Sequence, residues 1–156
     1  MQAAASEHQN PIRRQWMAVL ARASAEDMAA LLDRHVAVPA YTRLRGPEAG
    51  LVMVRGRIGG DGAPFNLGEA TVTRAVVELP TGERGFAHIL GRDGETARLA
   101  AIADALWLRE ASRGGVEAAI LAPIADRLAA ETAKARAETA ATRVDFFTLV
   151  RGEDAA

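Results

Sequence analysis

The chain has 156 residues with a formal net charge of −1, and 49% of its residues are hydrophobic but only 4% aromatic. This length suits one domain with a substantial core, built here largely from Ala, Leu, Val and Ile. The near-neutral charge argues against a nucleic-acid binder driven by counterion release. The absence of cysteine excludes disulfides, thiolate nucleophiles and cysteine metal sites.

The N-terminal segment lacks the apolar stretch of a signal peptide, and no later run is long enough to span a bilayer. We therefore expect a cytoplasmic protein with no membrane contact. Residues 1–10 are small and polar without periodicity, which predicts a disordered tail. Residues 11–152 are expected to form a single α+β domain.

Two helices are predicted before residue 39. Pro11 can begin the first, because a missing N–H costs nothing in the first helical turn. The second has Ser24 as its N-cap, with the acidic Asp27 three residues later. Pro39 marks the change of structure.

The middle of the chain predicts short β-strands joined by turns. They begin near Tyr41, Leu51, Glu69 and Gly85 and show alternating or β-branched apolar residues. The predicted turns are Gly46-Pro47, a glycine-rich break over residues 58–64, and Pro80-Thr81-Gly82-Glu83. Short links between adjacent strands favour an antiparallel meander over parallel crossovers.

The C-terminal half is predicted to be helical as far as residue 142. Asp93 is a good N-cap for a long helix that reaches about Arg113, where Gly114-Gly115 would end it. A short helical piece to Leu121, an interruption near Pro123 and an alanine-rich helix over residues 125–142 follow.

The segment RVDFFTLVRG, residues 143–152, resembles a strand that is apolar on both faces. Helices of this domain could cover both faces, or a neighbouring subunit could cover one. With this strand, the prediction is an α+β fold in which a mainly antiparallel sheet of about four to five strands packs with N-terminal, central and C-terminal helices.

The three histidines, His8, His35 and His88, form no pair with metal-ligand spacing. No carboxylate is placed to complete a metal-binding facial triad, and the sequence shows no recognisable Ser-His-Asp triad. We therefore expect no catalytic residue, metal site or bound cofactor in this chain.

The stretch IGGDG, residues 58–62, invites comparison with a phosphate-binding loop, but no helix start or nearby lysine follows it. A flexible loop is the better interpretation. Arg55 and Arg57 on one strand face, with Arg92 beside a helix start, are weak candidates for an anion site. Against this, Asp93 itself occupies the helix amides as a cap, and exposed arginines are usually only solvated.

Five stretches together resemble one known family: RQWMAVLA, GDGAPFNLGEATVTRAVVEL, GFAHILGRD, IADAL and RVDFFTLVRG. Across residues 13–152, in order and spacing, the chain is similar to the G subunit of the bacterial carbon–phosphorus lyase core complex. The likeness departs at Thr96-Ala97-Arg98, where members often carry His-Ala-Glu.

The resemblance implies a subunit that joins the H, I and J subunits, with an ATP-binding-cassette-like L subunit acting in the same step. In that step a phosphonate displaces adenine from ATP, giving α-D-ribose 1-phosphonate 5-triphosphate. ATP would be a substrate of the complex, and the isolated chain could form a homodimer. The resemblance carries over no catalytic residue, so the chain is not expected to be catalytic alone.

The residues leave a second hypothesis open: a stand-alone enzyme or binding domain for a phosphorylated nucleotide or sugar, motivated by Arg55, Arg57 and Arg92. An RNA-binding module is disfavoured by the net charge and by the scarcity of aromatic residues for base stacking.

Overall fold

The computed structural model describes residues 11–59 and 61–143. The predictions of a disordered tail over residues 1–10 and of a strand in RVDFFTLVRG fall on residues outside this part, apart from Arg143. The described helices are α1 (Pro11–Leu20), α2 (Ala25–His35), α3 (Gly94–Leu108), α4 (Glu110–Val116) and α5 (Ala122–Ala141), with a π-helical turn at Glu117–Leu121. The strands are β1 (Thr42–Arg57), β2 (Pro64–Glu78) and β3 (Arg84–Leu90).

The described strands form one antiparallel sheet in the order β1-β2-β3. The α+β class is confirmed, but the described residues contain three strands and not four to five. One reason is that the two strands expected on either side of Gly46-Pro47 are a single strand, β1. Its register against β2 shifts between Arg43 and Arg45 and again between Arg45 and Glu48. The glycine and proline therefore sit at a bulge in a strand at the edge of the described sheet, where proline is tolerated.

Helix α3 packs across β3 and β2 and closes the core on one face of the sheet. We call this the inner face and the opposite one the outer face. Alternate residues of the two strands point inward and are buried: Thr73, Ala75, Val77, Gly85, Ala87 and Ile89. The approach of α3 is close, since a Cβ on Gly85 would lie 1.9 Å from the carbonyl oxygen of Ala101 and 2.5 Å from the amide nitrogen of Ala105.

A buried ion pair fixes α1 to α3. The Arg13 guanidinium donates two hydrogen bonds to the Asp104 carboxylate, with Nε–Oδ1 at 3.0 Å and Nη2–Oδ2 at 2.7 Å. The two side chains are 4% and 2% exposed. Asp104 Oδ2 also accepts the backbone N–H of Phe86 at 2.9 Å, so one carboxylate joins α1, α3 and β3.

The prediction that α3 continues to Arg113 and stops at Gly114-Gly115 is wrong. The helix ends at Leu108, and α4 runs through both glycines. Side chains of α4 stabilise the break: Ser112 Oγ donates to the carbonyl of Leu106 at 2.6 Å, and Arg113 Nε donates to that of Trp107 at 3.1 Å. These bonds satisfy carbonyl groups that a helix end leaves without partners.

Helix α5 begins at Ala122, earlier than predicted, because Pro123 lies in its first turn, where proline is tolerated. Ile124 and Leu128 are buried, and almost every residue after Leu128 is exposed. The alanine-rich part of the helix therefore lies at the surface of the described structure. No helix within the described ranges is long and apolar enough to cross a membrane.

Candidate functional site

The histidines do not form a reactive centre in the described structure. His35 ends α2 and His88 lies on β3, both exposed, while His8 is outside the described residues. Across residues 11–59 and 61–143 there is no group of three or more His, Cys, Asp or Glu that could hold a metal ion.

The start of α3 is occupied by its own cap. Asp93 Oδ1 accepts the backbone N–H of Thr96 at 2.9 Å, and the Thr96 hydroxyl donates to Asp93 Oδ2. Hydrogen bonds from the Thr96 hydroxyl and amide hold the pKa of Asp93 below its ordinary value of 3.8. A carboxylate is thus already seated where an incoming anion would bind.

The triplet that departs from the family pattern has structural contacts here. Thr96 is buried and completes the cap of α3. Arg98 Nε donates to Glu95 at 3.0 Å and Arg98 Nη1 to the Tyr41 hydroxyl at 2.8 Å. The hydrogen bond from Arg98 lowers the pKa of Glu95, and hydrogen bonds to Glu95 and Tyr41 raise the pKa of Arg98. These contacts link α3 to the segment that enters β1.

The three arginine candidates lie at two separate places. Arg55 and Arg57 flank Gly56 near the far end of β1, where they border a shallow hollow beside Pro64. Arg92 follows Gly91, whose amide donates to the carbonyl of Thr71. Thr71 pairs with Leu51, four residues before Arg55, so Arg55 lies roughly 13 Å further along the strand than this pairing point.

The most exposed part of the sheet is the far end of the β1–β2 hairpin. Strand β3 pairs with β2 only from Val72 to Glu78. Residues 51–57 and 64–70 therefore form a two-stranded ribbon with no third strand among the described residues, and we call this ribbon the arm. Its apolar side chains are open to solvent, with exposed fractions of 62% at Leu51, 53% at Met53 and 62% at Leu67.

The outer face of the arm carries no charged side chain. The strand pairing places Val52, Val54, Gly56, Phe65 and Ala70 on it, and the closeness of Leu67 to Gly56 places Leu67 there as well. Leu67 lies over Gly56: a Cβ on that glycine would be 2.4 Å from Leu67 Cδ1. A side chain at position 56 would force Leu67 to move from this position.

The inner face of the arm combines apolar residues, two arginines and Glu69, which lies opposite Met53. Leu51 and Met53 lie on the side of the sheet that α3 covers nearer the core. Arg55 and Arg57 lie on the same side, because alternate residues of a strand share a face. Arg57 Nη1 donates to the carbonyl of Gly62 at 2.9 Å, which ties the strand to the loop. The near-alternation that begins at Leu51 is typical of a strand with one face in the core, whereas the consecutive apolar run Leu51–Val54 is the signal in the sequence that both faces need cover.

Comparison with known proteins identifies the family of the chain and a similar curated protein. Residues 12–152 match the model of the family described as "Phosphonate metabolism protein PhnG". The chain is 56% identical over 142 residues to a protein of Rhizobium meliloti (strain 1021) named "Alpha-D-ribose 1-methylphosphonate 5-triphosphate synthase subunit PhnG". The alignment covers 91% of this chain and 90% of the relative.

Proposed function

Because the chain belongs to the PhnG family of phosphonate metabolism proteins, we propose that it is a subunit of the carbon–phosphorus lyase core, in organic phosphonate catabolism. Its partners are the H, I and J subunits, with the L subunit acting in the same step. The complex displaces adenine from ATP with a phosphonate and gives α-D-ribose 1-phosphonate 5-triphosphate. The observation that carries this proposal is the match to the family over residues 12–152.

The structure supports an assembly role through the arm. Ordinary surfaces expose single apolar side chains, whereas the arm exposes Leu51, Met53, Phe65 and Leu67 on a ribbon only two strands wide. Contiguous exposed apolar surface of this kind marks a protein contact. The chain then contributes to synthesis by completing the complex, while the reacting groups belong to other subunits.

Co-expression with affinity-tagged H, I and J subunits tests this function. We expect the chain to co-elute with them, and complexes purified without it to release adenine from ATP and methylphosphonate far more slowly. A chain that never co-elutes, or a complex equally active without it, contradicts the proposal.

The hollow beside Arg55 and Arg57 motivates the alternative of a stand-alone domain that binds a phosphorylated nucleotide or sugar. Calorimetry on the isolated chain with ATP or ribose 5-phosphate distinguishes the two. The subunit function predicts no heat of binding, and saturable binding by the chain alone would favour the alternative.

A further inference from the structure

The arm lacks the contacts that would make it stable by itself. An isolated two-stranded ribbon is at best marginally stable in water, and a third strand or a packed helix is normally required. Within the described residues β1 has an open outer edge along its whole length, and β2 has one over residues 64–70. Open edges with exposed apolar side chains are sites where another chain adds.

The outer face of the arm is chemically uniform. Closer to the core the same face holds a cluster of charges, in which Glu48 pairs with Arg45 at 3.3 Å and with Arg74 at 3.4 Å. Beyond Gly50 the face is apolar, with Val52 and Val54 each 40% exposed and Phe65 41% exposed. A surface that fits it must also be apolar, because a charge buried there would have no partner.

The inner face of the arm requires a partner surface of different chemistry. Arg55 and Arg57 follow Leu51 and Met53 on this face, and Glu69 lies opposite Met53. Neither arginine makes an ion pair with a described residue. Two copies related by a two-fold axis through this face would bring together two surfaces that each carry two arginines and one glutamate, and surfaces of like net charge disfavour association. Two copies joined through the outer face would leave Leu51 and Met53 in water.

We propose that the arm inserts into an apolar groove of a different subunit, which covers both of its faces and presents carboxylates to Arg55 and Arg57. This inference rests on the proposed function, since the groove belongs to another subunit of the synthase. Leu67, seated over Gly56, is the central apolar contact. The two arginines steer the approach and fix the orientation of the arm.

The absence of cysteine allows a direct test with single introduced thiols. The variants are Leu67→Cys on the outer face, Met53→Cys on the inner face and Ile12→Cys on α1 as a control of similar exposure, at 53%. Maleimide labelling of each variant is followed by mass spectrometry of this chain, alone and in the purified complex. In the complex we expect labelling at Leu67→Cys and Met53→Cys to slow by about tenfold or more, and labelling at Ile12→Cys to change little.

Co-purification of variants with altered charge provides the second measurement. Leu67→Asp should weaken co-purification by on the order of thirtyfold or more, as expected for a central contact, while Ile12→Asp should not. The double variant Arg55→Gln/Arg57→Gln should slow association and reduce its dependence on salt. Because all these side chains are exposed, the isolated variants should unfold at the wild-type temperature, which separates lost assembly from misfolding.

The possible results distinguish a failure of the arm proposal from a failure of the proposed function. If the wild-type chain co-purifies but both arm thiols stay reactive and Leu67→Asp assembles normally, the arm proposal is overturned and the subunit function stands. If the wild-type chain does not co-purify at all, the proposed function fails. Protection at Leu67→Cys that grows with the concentration of the isolated chain would identify a second copy as the occupant and overturn the proposal.

Discussion

At the scale of single residues, Asp104 makes the contacts on which the position of α1 depends. It accepts both donors of Arg13 and the amide of Phe86 in a site where the arginine and aspartate side chains are almost wholly buried. The guanidinium carbon also lies 5.7 Å from the centre of the Phe86 ring, within the range of a cation–π contact. A buried charge in such a site is tolerated only while its partner is present.

Replacing Arg13 by Ala should therefore lower the free energy of unfolding by about 3–5 kcal/mol, because the Asp104 carboxylate is left buried without its cation. Urea denaturation followed by circular dichroism measures this loss. Arg14→Ala on the exposed side of the same helix is the matched control, with an expected change within about 0.5 kcal/mol. Equal stability of the two variants would contradict the role of the pair.

The cap of α3 predicts a dependence of stability on pH. The folded pKa of Asp93 lies below its ordinary value of 3.8, so its stabilising contribution is fully present above about pH 4 and is lost as the pH falls through the folded pKa. Asp93→Asn keeps a capping side chain that does not titrate. Wild type should lose more stability than Asp93→Asn between pH 5 and acid, as measured by urea midpoints; parallel curves would refute this.

At the scale of elements, the contact between β3 and α3 depends on small residues. Gly85 faces the backbone of α3 at Ala101 and Ala105, and a side chain at Gly85 would overlap backbone atoms that cannot move independently. Close packing of a strand on a helix here requires that no Cβ intervene. Gly114 in α4 differs, since a Cβ there would meet nothing within 4 Å.

The variants Gly85→Ala and Gly114→Ala should therefore change stability in opposite directions. We expect Gly85→Ala to cost at least about 2 kcal/mol by overpacking and Gly114→Ala to add about 0.5–1 kcal/mol by restricting the unfolded chain. Thermal unfolding of both variants, measured side by side, checks this pair. A Gly85→Ala protein as stable as wild type would mean that the helix and strand lie further apart.

Sequence reasoning succeeded where one local interaction decides an element. The Asp93 cap, the Ser24 cap and the hairpin turn after Leu79 follow from short patterns, and the structure contains all three. It failed where distant contacts override local preference. Gly46-Pro47 was expected to turn the chain but sits at a bulge in β1, and α3 stops before the glycines because side chains of α4 satisfy its last carbonyls.

The arm could be predicted only in part. The apolar residues near Leu51 correctly indicated a strand. Alternation alone, however, cannot distinguish a strand half-buried in its own domain from one that is covered by another chain. That distinction depends on where β3 stops pairing with β2, at Val72. The separation of Arg92 from Arg55 follows from the same register and was equally invisible in the sequence.

At the scale of the whole molecule, the chain divides into a helix-covered core and an arm with little contact to it. The large core residues belong to the helices and the near half of the sheet, including Met28, Leu32, Val77 and Leu106. None of residues 51–57 or 64–70 is buried. Folding and assembly should therefore be separable by shortening the arm.

A chain in which an Asn-Gly turn joins Val52 directly to Ala70, its partner in the sheet, tests this separation. Asn-Gly favours a two-residue hairpin turn, and we expect the free energy of unfolding to change by less than about 1 kcal/mol because no core residue is removed. The shortened chain should fail to co-purify with the other subunits. Full assembly by this variant would place the contact surface elsewhere.

The exposed helix α5 carries the only lysine of the chain, Lys134, with a side chain 79% open to solvent. Amine-reactive reagents therefore meet one side-chain target, on a helix whose contacts with the core end near Leu128. A sensor surface coupled through that amine holds every molecule by the same helix.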